Sequence, residues 1–302
     1  KLRDMFHVLK QCSEKLGDHL VALDGKTVDM RELSARYAID TIGICAFGVE
    51  ANAIDDPDSM FAKMAKRVFA TDFKDNLRFQ LRVFAPKLAH FFNKWLIDGK
   101  LEKFLVTLTR DTMEYRDVNG ITRDDLLEQL RSLKKAHETN GSSKKLPESL
   151  FVSQLFVFFS AGFETASSTM SNCLLELAMN HEIRDRLREE IRETLERTNG
   201  DITYEVINGM TYLDRCVMET LRKYPPLPTL MRESTTAYKF PGIELTIPVE
   251  SSVWIPILAI QHDPKYFPEP EVFDPDRFTD EAVKSRPAMT FLAFGDGPRK
   301  CI

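Results

Sequence analysis

Near its C-terminal end the sequence runs Phe294-Gly295-Asp296-Gly297-Pro298-Arg299-Lys300-Cys301. Two glycines and a proline specify a tight, non-helical backbone, and two cations stand directly before a thiol. Cations, backbone amides and metals all lower a thiol pKa, and the thiolate is the form that ligates iron. A lone cysteine is most often an inert core side chain, but the company Cys301 keeps outweighs that reading. The glycines do not make a phosphate loop, because Lys300 stands where the last glycine of GxGxxG belongs.

Upstream of this loop, beyond Pro228, the texture is short β-type runs, such as Glu244 to Ile247 and Ser252 to Ile257, broken by prolines. Phe273-Asp274-Pro275-Asp276-Arg277-Phe278 lies in the same tail. Before it, a helix from about Tyr212 to Tyr224 stops at Pro225-Pro226, since proline cannot continue a hydrogen-bonded helix. Glu219 and Arg222 stand three apart on that helix and share a face. Read alone, such a pair is ordinary and worth a few tenths of a kcal/mol at a surface.

Further back the chain is helical in pattern. Leu2, Met5, Phe6, Leu9 and Leu16 form one stripe, and Asp29 with Glu32 is a capping-box start for a helix running toward Gly48. Asp56-Pro57 reads as the N-cap and first turn of a helix that turns Met60, Phe61, Met64, Val68 and Phe69 inward. Helices are also predicted around Leu81 to Leu96, Leu101 to Tyr115 and, strongly charged, Arg184 to Arg197. The polar run His137 to Lys145 reads as a surface loop. From Pro147 to about Asn180 runs one long helix whose first half, including Phe151, Phe158 and Phe159, is apolar on every side and so is expected in a large core.

Within that helix comes Ala161-Gly162-Phe163-Glu164-Thr165. Glycine in a helix interior costs about 1 kcal/mol against alanine, so something should offset it. Close approach of a flat ligand is one account, with Thr165 aiming its hydroxyl at a carbonyl or a water. Packing through a small residue is the commoner account when the segment is read alone.

The composition excludes several classes. With 41 basic and 46 acidic residues among 302 the net charge is -5, so a general phosphate-binding surface is not expected and nucleic acid is an unsuitable partner. The 5 cysteines are scattered with no CxxC spacing, which fits unpaired thiols in a reducing compartment. No HExxH and no GxSxG occurs, and no stretch reads as a membrane span by continuous apolar length.

Taken together and in this order, the signatures resemble the cytochromes P-450, the haem-thiolate monooxygenases. Phe294, Gly297, Arg299 and Cys301 match the family's Phe-x-x-Gly-x-Arg-x-Cys loop, which implies that Cys301 is the axial ligand of the iron of haem b and Arg299 a propionate partner. Glu219, Arg222 and Arg277 match the family's structural triad, and Arg232 matches a further propionate ligand. Ala161, Gly162, Glu164 and Thr165 match the oxygen-activation motif, in which Thr165 and Glu164 help deliver protons and Gly162 leaves room over the porphyrin. Ala166 departs from the usual Thr or Ser there, and Asp276 replaces the commoner Glu before Arg277. Lys223-Tyr224-Pro225-Pro226 and Phe273-Asp274-Pro275 look most like the insect microsomal family six.

The resemblance implies a mainly α fold with a small β region, a single catalytic domain spanning 1–302 and incomplete at both ends. Family members carry a membrane helix and an early sheet upstream and a helix after the cysteine, so the chain reads as an internal fragment and, alone, as a poor enzyme. It further implies oxygen insertion into a hydrophobic xenobiotic, plant toxin or insecticide, with electrons from NADPH through cytochrome P-450 reductase, and cytochrome b5 as a second donor. The implied location is the cytosolic face of the endoplasmic reticulum membrane. Phe158, Phe159 or Phe163, with Thr229 and Leu230, are expected to line the substrate pocket. Two rival readings are a haem-thiolate enzyme that rearranges hydroperoxides and a haem-free helical ligand-binding scaffold.

Overall fold

The computed structural model describes residues 3–68, 99–139, 146–298 and 300–301. The helix expected around Leu81 to Leu96, and Arg299, lie outside the described residues. Two compact units divide the chain, Lys1–Ser167 and Ser168–Ile302.

In the first unit α1 (Phe6–Ala22) packs on α2 (Met30–Ile42). Asp29 caps α2 as the sequence implies, its carboxylate accepting from the amides of Arg31 and Glu32 at 2.8 and 3.1 Å. The helix then widens into a π turn, Gly43–Phe47, ended by Gly48 in the left-handed region at φ 66°. Helix α3 (Met60–Val68) begins later than Asp56-Pro57 implies. Ser59 is its cap, accepting from the Ala62 amide at 3.3 Å, whereas Asp56 closes a preceding turn on the Asp58 amide.

Helices α4 (Gly99–Asn119) and α5 (Leu126–Thr139) follow, so the run from His137 is helical through Thr139 instead of loop, and 140–145 lie outside the described residues. Asp125 does two jobs here. It caps α5 through the Glu128 amide at 2.8 Å and takes both ends of the buried Arg116 guanidinium at 2.9 and 2.6 Å. Arg116 also donates to the Phe47 carbonyl, and Arg123 to that of Gly48, tying the π turn to α4 and α5. A Cβ on Gly48 would lie 2.3 Å from Arg116 and Asp125 side-chain atoms, so only glycine fits.

Helix α6 (Glu148–Met179) runs from the first unit into the second. Phe151, Leu155, Phe159 and Phe163 repeat every four residues and are buried. Phe159 meets Phe47, Phe61 and Phe163 at ring-centroid separations of 6.3, 6.2 and 5.5 Å, an aromatic core. The expected all-round burial does not hold, because Phe156 and Val157 are exposed: composition is apolar on every side while packing neighbours occupy one. The helix is also long and apolar enough to cross a membrane, contrary to the expectation of no such segment, although a core helix gives the same signal.

In the second unit α7 (His181–Arg197) packs on α9 (Thr211–Lys223) after a short α8 (Tyr204–Asn208). Leu187 of α7 and Tyr212 and Cys216 of α9 form a core with Cys173 of α6. Met210 cannot cap α9, and Glu190 of α7 does so instead, accepting from the amides of Tyr212 and Leu213 at 2.8 and 2.9 Å. Strand β1 (Leu230–Glu233) pairs antiparallel with β4 (Ser252–Ile255), and β2 (Tyr238–Lys239) with β3 (Thr246–Ile247). A short α10 (Ile257–Gln261), a 3-10 turn (Pro275–Phe278) and α11 (Asp280–Ser285) complete a mostly helical fold with a small sheet region.

Candidate functional site

Glu219 and Arg222, one turn apart on α9, are 0% exposed and doubly bonded, Nε to Oε2 at 2.7 Å and Nη2 to Oε1 at 2.8 Å. Two further guanidinium hydrogens go to the carbonyls of Gln261 at 3.0 Å and Pro270 at 2.7 Å. Burial pushes the Glu219 carboxyl up, while Arg222, the Asp274 amide and Arg277 pull against it. Arg277 Nε stands 3.5 Å from Glu219 and its Nη2 donates to the Glu269 carbonyl. The three residues that sequence spacing could only associate are therefore one cluster, and it grips the loop that carries Pro270 and Arg277.

Two residues the sequence did not single out complete this cluster. Arg286 lies between the rings of Phe267 and Phe278, 4.8 and 4.9 Å from their centroids, and donates to the Arg277 carbonyl at 2.6 Å. Burial lowers its pKa, with Arg277 and Arg222 adding to that. Gln261 is 0% exposed and joins the end of α9 to Leu292. Its only signal was a lone amide closing the apolar run Ile257-Leu258-Ala259-Ile260. Glu176 is similar, a buried carboxylate in an apolar stretch that takes bonds from Lys223 and Tyr224 at 2.8 and 2.5 Å.

The thiol loop follows. Gly295 and Gly297 take φ of 67° and 87°, which side chains resist, so both glycines are required by the turn. The Gly295 amide donates to the Leu292 carbonyl, and the Cys301 amide to that of Phe294, each at 2.8 Å. Arg232 on β1 donates to the Asp296 carbonyl at 3.1 Å, which sets a cation beside the loop. Leu230 packs under Gly295, and Thr229 is half-buried just before it.

Chemistry separates this cysteine from the others. Burial pushes Cys216 up to about 12 and Cys45 up to about 11, and it raises Cys12 and Cys173 as well. Those four stay thiols at neutral pH, whereas Cys301 is exposed. An exposed thiol and the half-exposed ring of Phe294 on one loop, with the guanidinium of Arg232 reaching it from β1, fit an iron porphyrin with a sulfur ligand and anionic propionates.

In the first unit, the segment Ala161 to Thr165 is occupied by ordinary contacts. A Cβ on Gly162 would lie 2.7 Å from Ile42 Cδ1, so α2 packs closely against the glycine. Glu164 pairs with Arg31 at 2.5 Å, and the Thr165 hydroxyl donates to the Ala161 carbonyl at 2.6 Å, four residues back. Phe159 and Phe163 belong to the aromatic core, and Phe158 is half-buried. A cavity of about 120 Å³ opens beside Phe163 and Glu164, with Glu32, Ile39, Ala62 and Lys66 in its wall. That volume is below the roughly 300 Å³ at which sites for drug-sized ligands begin.

Comparison with known proteins bears on the same motifs. The family model for cytochrome P-450 matches residues 1–302. "Probable cytochrome P-450 6a13" of Drosophila melanogaster is 39% identical over 302 residues, taking in 100% of this chain and 60% of the relative. "Cytochrome P-450 6a2" of the same organism is 39% identical over 313 residues, covering 100% and 62%, and "Cytochrome P-450 6k1" of Blattella germanica is 35% identical over 319, covering 100% and 61%. The chain thus spans about three fifths of the length of the curated relatives it matches. A Glu-Arg-Arg cluster, a thiol on a glycine turn and a family model matched along all 302 residues lead to one conclusion: the chain belongs to the cytochrome P-450 family.

Proposed function

We propose that the protein carrying this chain is a haem-thiolate monooxygenase that inserts one oxygen atom of dioxygen into a hydrophobic small molecule. The observation that carries the reading is Cys301 beside its doubly left-handed turn, the one cysteine of five that is exposed. Bound haem would supply the redox chemistry of dioxygen activation, which electron donation from a thiolate favours. Cys301 would supply the sulfur, and Arg232 and Arg299 cations for the propionates. Glu219, Arg222 and Arg277 hold the surrounding backbone and touch no reacting atom.

Proton delivery falls to two groups on α6. Thr165 Oγ1 now gives its hydrogen to the Ala161 carbonyl, and turning it away frees a donor at the cost of one internal bond. Glu164 is held by Arg31, a pair open enough to water to exchange, since Arg31 is 61% exposed. Half-buried Phe158 is a proposed apolar contact for substrate, as are Thr229 and Leu230 beside the thiol loop, whereas Phe159 and Phe163 are taken up by the aromatic core; xenobiotics, plant toxins or insecticides are the substrate class. Electrons would come from NADPH through a flavoprotein reductase, with cytochrome b5 as a second donor, on the cytosolic face of the endoplasmic reticulum. The two compact units would then serve one catalytic domain.

The test is turnover of the haem-loaded protein with reductase, NADPH, an apolar probe substrate and isotopically labelled dioxygen. One labelled oxygen atom in the product supports the reading, and Thr165→Val should divert electrons to hydrogen peroxide. Product formed from hydroperoxide alone, with no dependence on NADPH, would instead favour the rearrangement enzyme.

A further inference from the structure

We propose that Gln261 is a positioning residue for the thiol loop, fixing the backbone at Leu292 from which the turn bearing Cys301 is suspended. The proposal rests on the haem-thiolate reading above. Gln261 is the last residue of α10 and is fully buried. Its Nε2 donates to the carbonyls of Leu221 and Arg222 at 3.1 and 2.9 Å. These belong to the last turn of α9, whose carbonyls lack intrahelical partners. Its Oε1 accepts from the Leu292 amide at 2.9 Å, and its own carbonyl accepts from Arg222 Nη1 at 3.0 Å.

Every strong hydrogen-bonding group of the side chain is thus spent on backbone that is 31 to 40 residues distant in sequence. From Leu292 the path to the thiol is short. The Leu292 carbonyl receives the Gly295 amide, and the Phe294 carbonyl receives the Cys301 amide, each at 2.8 Å. One primary amide therefore couples the helix of the Glu219–Arg222 pair to the backbone that orients the thiol. An apolar side chain of equal size would leave a buried amide and two carbonyls without this partner, a cost that falls on the loop.

The test compares haem-loaded wild type, Gln261→Met and Gln261→His in the ferrous carbon monoxide spectrum, reading the ratio of unshifted to red-shifted Soret bands. Methionine keeps the volume and drops the bonds, while histidine keeps one donor and one acceptor. Gln261→Met should raise the unshifted fraction by roughly fivefold, the leverage of one lost buried hydrogen bond, and Gln261→His should bring it back toward wild type. A merely structural role would lower the melting temperature and leave the ratio unmoved, and that result would overturn the proposal. Should Gln261→Met take up no haem, Gln261→Asn replaces it, having the same groups one methylene short of reach: a raised fraction in Asn against His supports the proposal, and equal fractions overturn it. A wild type with no red-shifted band would sink the haem-thiolate reading itself, whereas a wild-type red-shifted band beside an unmoved Met ratio sinks the role of Gln261 alone.

Discussion

The Glu219–Arg222 pair of one unit and the Glu164–Arg31 pair of the other join the same chemical groups under opposite conditions. The first is 0% exposed on both sides, doubly bonded and backed by main-chain carbonyls, so its charges have nowhere else to go. In the second, Arg31 is 61% and Glu164 28% exposed, and water competes for both. A buried pair holds a scaffold because breaking it strands a charge, while an open pair can exchange partners cheaply. The Glu219–Arg222 pair is therefore built to stay, and the Glu164–Arg31 pair is open to exchange.

The largest expected effect strikes the buried pair. Glu219→Gln leaves Arg222 without its counter-charge and should cost about 3–5 kcal/mol in denaturant unfolding. Arg222→Lys should recover little, because an ammonium cannot make both bonds. A loss near that of a surface pair would dissolve the contrast. Asp125→Asn asks whether burial or membership of a unit decides the outcome. Arg116 is also buried, so the loss should approach that of Glu219→Gln, softened by Glu128, 3.6 Å from Arg116. Arg31→Gln should cost at most about 1 kcal/mol, shrinking further in salt; a larger loss would make the α6 pair a strut as well.

The smallest effect is a slope with pH. Burial holds Cys216 up at about 12 against an ordinary 9.0, and partial burial with a hydrogen bond to Glu176 holds Tyr224 also at about 12 against 10.0. Groups whose folded pKa is raised contribute stability that is complete below the unfolded value and is lost as pH climbs toward the folded one. Melting temperature should therefore fall as pH rises above 9, and Cys216→Ala should flatten that fall. An unchanged slope would remove Cys216 from the account.

Legibility in the sequence followed the range of the forces involved. Helix starts and stops written in local chemistry were readable, as with Asp29 before α2 and Pro225-Pro226 after α9. The π turn was not, since it is a change of hydrogen-bond register secured by Arg116 of the distant α4 and Arg123 of the loop that follows it. Nor was the one-sided burial of α6, because an apolar surface does not say which of its faces finds a neighbour. In the candidate site, Glu219 and Arg222 could be paired by spacing, but their depth, the approach of Arg277 and the bridging amide of Gln261 are tertiary facts. Gly162 carried a functional expectation, and Ile42 gives it a packing one.

The central claim is that Cys301 is a thiolate ligand of haem iron. Its most direct measurement is the ferrous carbon monoxide spectrum of the haem-loaded protein and of its Cys301→Ser variant. The wild type should show a red-shifted Soret band that is lost in Cys301→Ser and retained in Cys216→Ala. A wild type without the shifted band, or a Cys301→Ser protein that keeps it, would contradict the account.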